Sequence, residues 1–127
     1  MNDRFKFNAY DKTLDIMHKN IQNADNFKDY LENKNYILLQ HTGWFDKNNT
    51  PIVEGDILKY SFVADGEEDY GVFPIIFEDL CFCWQYGISD DNTRPIHNEQ
   101  FDKNAYEVIG NIYQNKDILQ KEGWKIK

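Results

Sequence analysis

The chain has 127 residues, of which 41% are hydrophobic and 16% aromatic, and its formal net charge is −8. This length suits one domain with its own core, so we expect a single folding unit over residues 1–127. The sequence holds no run of about 18 apolar residues, and its start, Met1-Asn2-Asp3-Arg4, lacks the apolar segment of a signal peptide. These features predict a cytoplasmic protein and argue against membrane insertion and secretion.

Negative charge is concentrated in the middle of the chain. Residues 60–93 contain no Lys or Arg and carry eight acids. These are Asp65, Glu67, Glu68, Asp69, Glu78, Asp79, Asp90 and Asp91. The other 14 acids (22 minus 8) balance the 14 bases, all of which lie outside this block. Because such a block repels phosphate, it disfavours sequence-independent nucleic-acid binding, and a basic or neutral partner is expected there.

The first third of the chain predicts a hairpin followed by a short helix. Phe5–Tyr10 and Leu14–Met17 flank a polar turn, which is typical of an antiparallel pair. The helix is expected near Asp25–Asn33 with Asp25 as its cap. Its apolar stripe would consist of Phe27, Tyr30 and Leu31.

The centre of the chain predicts strands joined by specific turns. Tyr36–Gln40 is a strand run, and Asn49 in the following polar turn tolerates a left-handed backbone. Gly55 allows a conformation that other residues resist, and Asp56 can accept hydrogen bonds from nearby amides at the start of the strand 57–62.

The rest of the chain predicts a meander, a further strand and a last helical turn. Asp65–Asp69 is expected to be a hairpin loop, and Glu78-Asp79 a turn between strands 71–77 and 80–86. Residues 87–102 are polar and unpatterned. A strand is expected over 106–113, and Asn115 can cap a final helical turn. The tail 123–127 is consistent with either a final strand or a loosely held end.

Together with many aromatic residues and few alanines, these elements predict a mostly β fold with one or two short helices.

Three stretches resemble the motifs of one family. Residues 5–12 read FKFNAYDK, which is similar to an opening motif of alternating aromatics that ends in an aromatic-Asp pair. Residues 40–48 read QHTGWFDKN and residues 54–57 read EGDI, similar to a central signature Q-Y-T-G-L-x-D-K-N-G followed by E-G-D-I. Residues 107–115 read EVIGNIYQN, similar to a closing motif V-I-G-N-I-Y-E-N-P. The family that these stretches resemble is the YopX domain of phages and prophages.

The resemblance implies a mostly β fold that contains a small SH3-like barrel with added hairpin strands, encoded by a phage or prophage of a low-GC bacterium. It implies no known activity. Departures from the central signature are His41 for Tyr, Trp44 for Leu and Asn49 for Gly. Asn is the next best residue after Gly for a left-handed backbone, so the turn keeps its chemistry.

Reactive side chains are present, but each set has a structural interpretation. Cys81 and Cys83, with His41 or His97, lack the usual C-x-x-C pairing of zinc ligands, and reduced, buried thiols are expected. Acidic pairs and the 65–69 loop are typical of turns and solvated loops, not of a catalytic dyad or an EF-hand. We find no motif for nucleophilic catalysis or phosphate binding. The sequence therefore predicts no enzyme activity, cofactor or metal.

Two groups of residues carry the remaining hypotheses. Possible partner contacts are Trp44, Phe45, Asp65, Glu67, Glu68 and Asp69. The alternative for the two aromatic residues is that they cover the open end of the barrel. Architectural roles in turns and strand starts are expected for Thr42, Gly43, Asp46, Gly55, Asp56, Gly110 and Asn111.

Three functions remain open at this point. The leading one is a non-enzymatic module that binds another protein or itself, with its oligomeric state undetermined. The second is an acidic inhibitor or nucleic-acid mimic that acts on a host nucleic-acid-binding protein. The third is weak nucleic-acid binding by the barrel, which the charge disfavours. It would need basic residues drawn from Lys6, Lys12, Lys47, Lys121, Lys125 and Lys127.

Overall fold

The structure is a computed structural model. It describes residues 6–78, 81–85, 93–95 and 103–122, with side chains described over 6–76 and 104–122. The strands are β1 (Phe7–Asp11), β2 (Ile16–His18), β3 (Tyr36–Phe45), β4 (Pro51–Val53), β5 (Asp56–Ala64), β6 (Glu67–Glu78), β7 (Cys81–Gln85), β8 (Thr93–Pro95) and β9 (Tyr106–Asn111). The α-helices are α1 (Phe27–Glu32) and α2 (Lys116–Lys121), and short 3-10 helices lie at Ile21–Asn23 and Lys103–Ala105.

The strands form two antiparallel sheets. One has the order β2-β1-β3-β4 and the other the order β8-β7-β6-β5-β9. They curl around one core cluster to which both sheets contribute. Its buried members are Ile52, Leu58, Phe73, Ile75 and Tyr106. The prediction of a mostly β, barrel-like fold with short helices is confirmed.

The opening hairpin is confirmed, and Asp11 holds its turn. β1 pairs with β2 from Ala9 opposite His18 to Asp11 opposite Ile16. The Asp11 carboxylate accepts the backbone N–H groups of Thr13 and Leu14 and the side-chain amide of Asn35. The Leu14 N–H is the largest cause that lowers the pKa of Asp11, because it favours the charged form. This carboxylate therefore ties the hairpin turn to the segment before β3.

Both helices are found, but their predicted caps are wrong in detail. The N-cap of α1 is Asn26 instead of Asp25, and no side chain caps it. Phe27 and Tyr30 are half-buried, whereas Leu31 is 57% exposed, so the predicted apolar stripe lacks its third member. Asn115 does occupy the N-cap of α2, but its side chain accepts the Asn111 N–H instead of capping the helix.

β3 is longer than predicted because a bulge carries it past Gln40. His41 lies opposite Val53 and Phe45 opposite Pro51, so extra residues are accommodated between them. The Thr42 hydroxyl donates to the Ile52 carbonyl at 2.8 Å and accepts the Trp44 N–H at 3.1 Å. Gly43 supplies the left-handed backbone, with φ 89°. The bulge lets Trp44 pack against the core cluster.

Other predictions have mixed outcomes. The meander β5-β6-β7 and the left-handed Asn49, with φ 62°, are confirmed. The stretch 87–102 was expected to lack pattern, yet it contains β8, so that prediction is wrong at Thr93–Pro95. Predictions for Asp79, for residues 87–92 and 96–102, and for the tail from Gly123 concern residues outside the described part of the chain.

The two sheets are joined through the turn after β3. The Asp46 side chain is 1% exposed, and its Oδ1 accepts the N–H groups of Asn48 and Thr50 at 2.9 and 2.8 Å. Its Oδ2 accepts the N–H of Val108 in β9 at 2.9 Å. The Lys47 N–H donates to the Tyr106 carbonyl at 3.0 Å. The outer edge of β9 is thereby paired with the turn of the other sheet.

Gly55 forms a second junction between the sheets. Its N–H donates to the Ile75 carbonyl at 2.8 Å, and its carbonyl accepts the Ile112 N–H at 2.9 Å. With φ +88°, a Cβ at this position would lie 2.8 Å from Cε2 of Tyr113. Tyr113 in turn stacks on Tyr10 at 5.1 Å between ring centroids. Residues from the three sequence motifs therefore meet at Gly55.

We predict that Gly55→Ala destabilises the fold far more than Gly66→Ala does. Both glycines have a positive φ, but a Cβ at Gly66 would meet nothing within 4 Å. Gly66→Ala should lower the free energy of unfolding by about 1 kcal/mol from backbone strain, and Gly55→Ala by about 3 kcal/mol because the Tyr113 ring must also move. Urea unfolding of the two variants measures the difference. Equal losses would show that the close approach of Tyr113 does not matter.

Candidate functional site

The β5–β6 hairpin projects beyond the strands that flank it. The two strands pair without interruption from Ile57 opposite Pro74 to Ala64 opposite Glu67. β9 pairs with β5 only as far as Tyr60, and β7 pairs with β6 only from Ile75 onward. Residues 61–70 therefore form a two-stranded ribbon that no other described strand flanks. We call this ribbon the arm.

The arm ends in a tight turn instead of the predicted five-residue loop. Asp65 has φ 53° and Gly66 has φ 79°, and they alone connect β5 to β6. Two positive φ values in a two-residue connection match the twist of a hairpin. The prediction of a loop over Asp65–Asp69 is wrong, since Glu67, Glu68 and Asp69 belong to β6. All four acids of the arm are exposed.

The arm presents a shallow groove with both aromatic and acidic side chains. Its volume is about 420 Å³. It is lined by Lys59, Ser61, Phe62, Val63, Glu68, Asp69 and Tyr70. Val63 is 69% and Tyr70 46% exposed, so apolar surface faces solvent beside the carboxylates. A groove of this composition suits a partner that combines apolar and cationic side chains.

The Tyr70 ring makes a cation–π contact with Lys59. The Lys59 Nζ lies 4.8 Å from the centroid of its ring. The Tyr70 hydroxyl donates to Glu122 at 3.2 Å, and this hydrogen bond is the main cause that raises the pKa of Tyr70. Lys59 reaches Tyr70 across the ribbon, because the direct cross-strand partner of Tyr70 is Ser61. A lysine on one strand of the hairpin is thus accommodated over an aromatic ring of the next.

The described acids of the middle block do not form one continuous row. Along β6, Glu67 and Asp69 point to one face of the ribbon and Glu68 points to the other. Glu78 ends the same strand, about 30 Å from Asp69 at the rise of an antiparallel strand. Asp79, Asp90 and Asp91 lie outside the described residues. The described acids alone do not make up the phosphate-like face that the mimic hypothesis needs.

The predicted partner contacts separate into two places. Trp44 packs against the core cluster and Phe45 pairs with Pro51 at the end of β3, both half-buried. The acidic members lie on the arm. Contact of Trp44 and Phe45 with a partner stays a prediction.

Sequence reasoning missed the non-acidic residues of the groove. These are Lys59, Ser61, Phe62, Val63 and Tyr70. The signal that could have found them is Asp65-Gly66, because an Asp-Gly pair between alternating segments indicates a two-residue hairpin turn. That turn fixes the register and places Tyr70 opposite Ser61.

Side chains of the closing motif hydrogen-bond to the backbone of the turn after β9. The Asn111 side chain accepts the N–H groups of Tyr113 and Gln114 at 3.1 and 2.9 Å. A Cβ at Gly110 would lie 2.8 Å from the Asn115 carboxamide oxygen. These contacts shape the turn that places Tyr113 over Gly55.

Ionisable groups with shifted pKa values lie near the Gly55 junction. Burial raises the pKa of Asp56 to about 7. A hydrogen bond from the Val53 N–H, at 2.8 Å, acts in the opposite direction and lowers this pKa. Burial also raises the pKa of Glu54. Burial and then the negative charge of Glu54 raise the pKa of Tyr113. Perturbed groups often mark functional sites, but Asp56 also has a direct structural task, since its carboxylate fixes the tight turn between β4 and β5.

The sequence does not predict zinc ligation by Cys81, Cys83, His41 and His97, and only His41 of this set lies in the part of the chain with described side chains. In this part of the chain, no three His, Cys, Asp or Glu side chains are placed to hold a metal ion. The side chains of Cys81 and Cys83, and all of His97, lie outside it. His41 is buried, and its Nε2 lies 2.9 Å from Asn8 Oδ1. That oxygen also accepts the Asn20 N–H, so His41 is the donor of the pair.

Among the described helices, none has the length and apolar character needed to cross a membrane.

We predict that Asp56→Asn removes a pH dependence of stability. The folded-state pKa of about 7 exceeds the ordinary value of 3.8, so the folded protein holds this proton more tightly than the unfolded chain. The free energy of unfolding should therefore fall as the pH rises from about 4 to about 7 and level off above it. Asn keeps an acceptor for the Val53 N–H without a charge. The variant should match the wild type near pH 4 and exceed it by roughly 1 to 3 kcal/mol at pH 8.

Urea unfolding between pH 4 and pH 8 measures this difference. Asp25→Asn, at an exposed position beside α1, is the matched control and should follow the wild-type curve. A constant difference between Asp56→Asn and the wild type across this range would contradict the prediction.

Comparison with known proteins adds a fold relative and a family. The crystal structure of protein EF1440 from Enterococcus faecalis matches with a TM-score of 0.62 and 23% sequence identity. The match covers 90% of this chain and 96% of that one. At this identity, the likeness shows the fold, which suits a small β-barrel. No curated protein matches the chain.

The sequence model described as YopX protein matches residues 2–120, which includes all three motifs and the arm between them. The chain belongs to the YopX protein family.

Proposed function

We propose that the chain is a phage- or prophage-encoded accessory protein that acts without catalysis, as a module that binds a basic protein partner through the arm. The SH3-like barrel and the phage origin implied by the motif resemblance are parts of this proposal. The observation that carries it is the projection of residues 61–70 beyond both neighbouring strands.

Exposure and charge support a protein partner. The arm combines solvent-facing Val63 and Tyr70 with four acids in five residues, and exposed apolar side chains rimmed by charge are typical of interaction surfaces. Carboxylates at the rim attract a basic partner and speed its association. The same charges repel a second copy of the arm, so they favour a different protein over self-association through this surface.

The charge pattern does not favour direct nucleic-acid binding. Of the lysines that this function would need, Lys47 lies 3.7 Å from a Glu107 carboxylate oxygen and Lys121 lies 4.0 Å from Asp117. Carboxylates at these distances reduce the net attraction that the two lysines offer to phosphate.

We predict that reversing charge on the arm abolishes partner capture. Glu67→Lys/Glu68→Lys should reduce the amount of partner recovered from lysate of a bacterium that carries the source phage by at least tenfold, because attraction becomes repulsion. Quantitative mass spectrometry of affinity-purified material measures the recovery. The matched control is Asp25→Lys/Glu32→Lys, which makes the same charge change at exposed positions around α1 and should recover the partner as the wild type does. Equal recovery by both double variants would contradict the proposal.

A further inference from the structure

We propose that the edge of β5 along Ser61–Ala64 binds an extended segment of a partner protein, rich in Lys or Arg, as an added β-strand. The inference rests on the proposed function and names both the mode of binding and the chemistry of the bound segment.

The β5 edge along Ser61–Ala64 is unpaired among the described strands. Ser61–Ala64 pair with β6 on one side, and no described strand pairs with them on the other. In an antiparallel strand, alternate residues direct both their N–H and C=O groups toward the same neighbour. About half of these residues therefore direct main-chain donors and acceptors away from β6, which is the pattern that an added strand uses.

The edge strand itself carries no Lys, Pro or bulge that would block pairing along Ser61–Ala64. Natural edges are commonly blocked by Lys, Pro, a bulge or a covering element. Ser61–Ala64 contain neither Lys nor Pro, and their register with β6 is regular. Val63 is largely exposed and adds a strand-forming, apolar side chain. The edge is suited to pairing.

Negative charge beside the edge favours a basic segment as the added strand. Glu67, Glu68 and Asp69 lie on the strand next to this edge and Asp65 lies at the turn. A strand added to β5 would lie about 10 Å from β6, two strand spacings away, which is close to the Debye length in physiological salt. Long basic side chains shorten this distance across the small side chain of Ala64, which lies directly opposite Glu67. A second copy would bring acids against acids, so a basic segment is favoured.

The position of Lys59 shows that the ribbon accommodates such a side chain. It extends from β5 to place its ammonium group over the Tyr70 ring on β6. A Lys or Arg from an added strand meets the same mixture of aromatic surface and carboxylates.

The test uses the full chain and a labelled ten-residue peptide of alternating Lys and Thr. Fluorescence anisotropy should show binding that weakens as salt increases. A peptide of the same sequence with an N-methyl group on every main-chain amide should bind at least tenfold more weakly, because it keeps the charge and has no main-chain donor on either edge. Alternating Glu and Thr should not bind. Hydrogen exchange should show that peptide binding protects amides within 61–64.

A pair of variants localises the effect. Val63→Lys places a like charge on the proposed edge and should weaken binding of the Lys-Thr peptide at least tenfold. Leu14→Lys makes the same change at a site of similar exposure, 65% against 69%, on another hairpin, and should leave binding unchanged. Both positions are solvent-exposed, so the variants should fold normally.

Three results would overturn the inference: no binding of the Lys-Thr peptide, equal binding of its N-methylated form, or protection of amides outside the arm alone. Each leaves the proposed function standing if charge reversal on the arm still abolishes partner capture. If capture survives charge reversal, the proposed function fails whatever the peptide does.

Discussion

The buried carboxylate of Asp46 accepts three backbone N–H groups, and the closure of the two sheets depends on it. Two of these hydrogen bonds hold the turn after β3, and the third reaches Val108 on the edge of β9. Hydrogen bonds to a charged acceptor contribute about 1.5 to 3 kcal/mol each, and a buried amide that loses its acceptor costs a similar amount. One side chain thus satisfies the turn and also pairs the Val108 N–H on the edge of β9.

Closure at Asp46 explains the arrangement of the motif residues. It holds the first sheet against β9, and the turn after β9 then brings Tyr113 over Gly55 and against Tyr10. Gly is required at position 55 because the Tyr113 ring occupies the place of a Cβ. Residues of the opening, central and closing motifs therefore meet at one junction. Their role there is to hold the backbone in a defined conformation.

The arm follows from strand lengths. β5 and β6 have 9 and 12 residues, whereas the flanking β9 and β7 have 6 and 5. The flanking strands cover the part of the hairpin that encloses the core and leave its tip projecting. The acidic block of the sequence begins at this tip. The fold thus separates a barrel-like body, which contains the motif residues, from a projecting surface with a different composition.

Local patterns predicted the elements better than their contacts. Alternation and turn residues were sufficient for the opening hairpin and the β5-β6-β7 meander. Reading the acids as a loop hid the arm, although Asp65-Gly66 carried the signal for a two-residue turn. The cap of α1 was misplaced by one residue, because Asp and Asn both favour that position. The roles of Asp46 and Tyr113 depend on partners far away in the chain, at Val108 and Gly55, and local sequence does not encode such pairs.

Hydrogen exchange at the Val108 amide in Asp46→Asn tests the closure most directly. The Asn oxygen can still accept the turn amides of Asn48 and Thr50, but its NH2 group then faces the Val108 N–H, and two donors cannot pair. We predict that the Val108 amide exchanges at least tenfold faster than in the wild type, while the Asn48 and Thr50 amides keep their protection. Unchanged protection of Val108 would show that the Asp46 carboxylate does not hold the two sheets together.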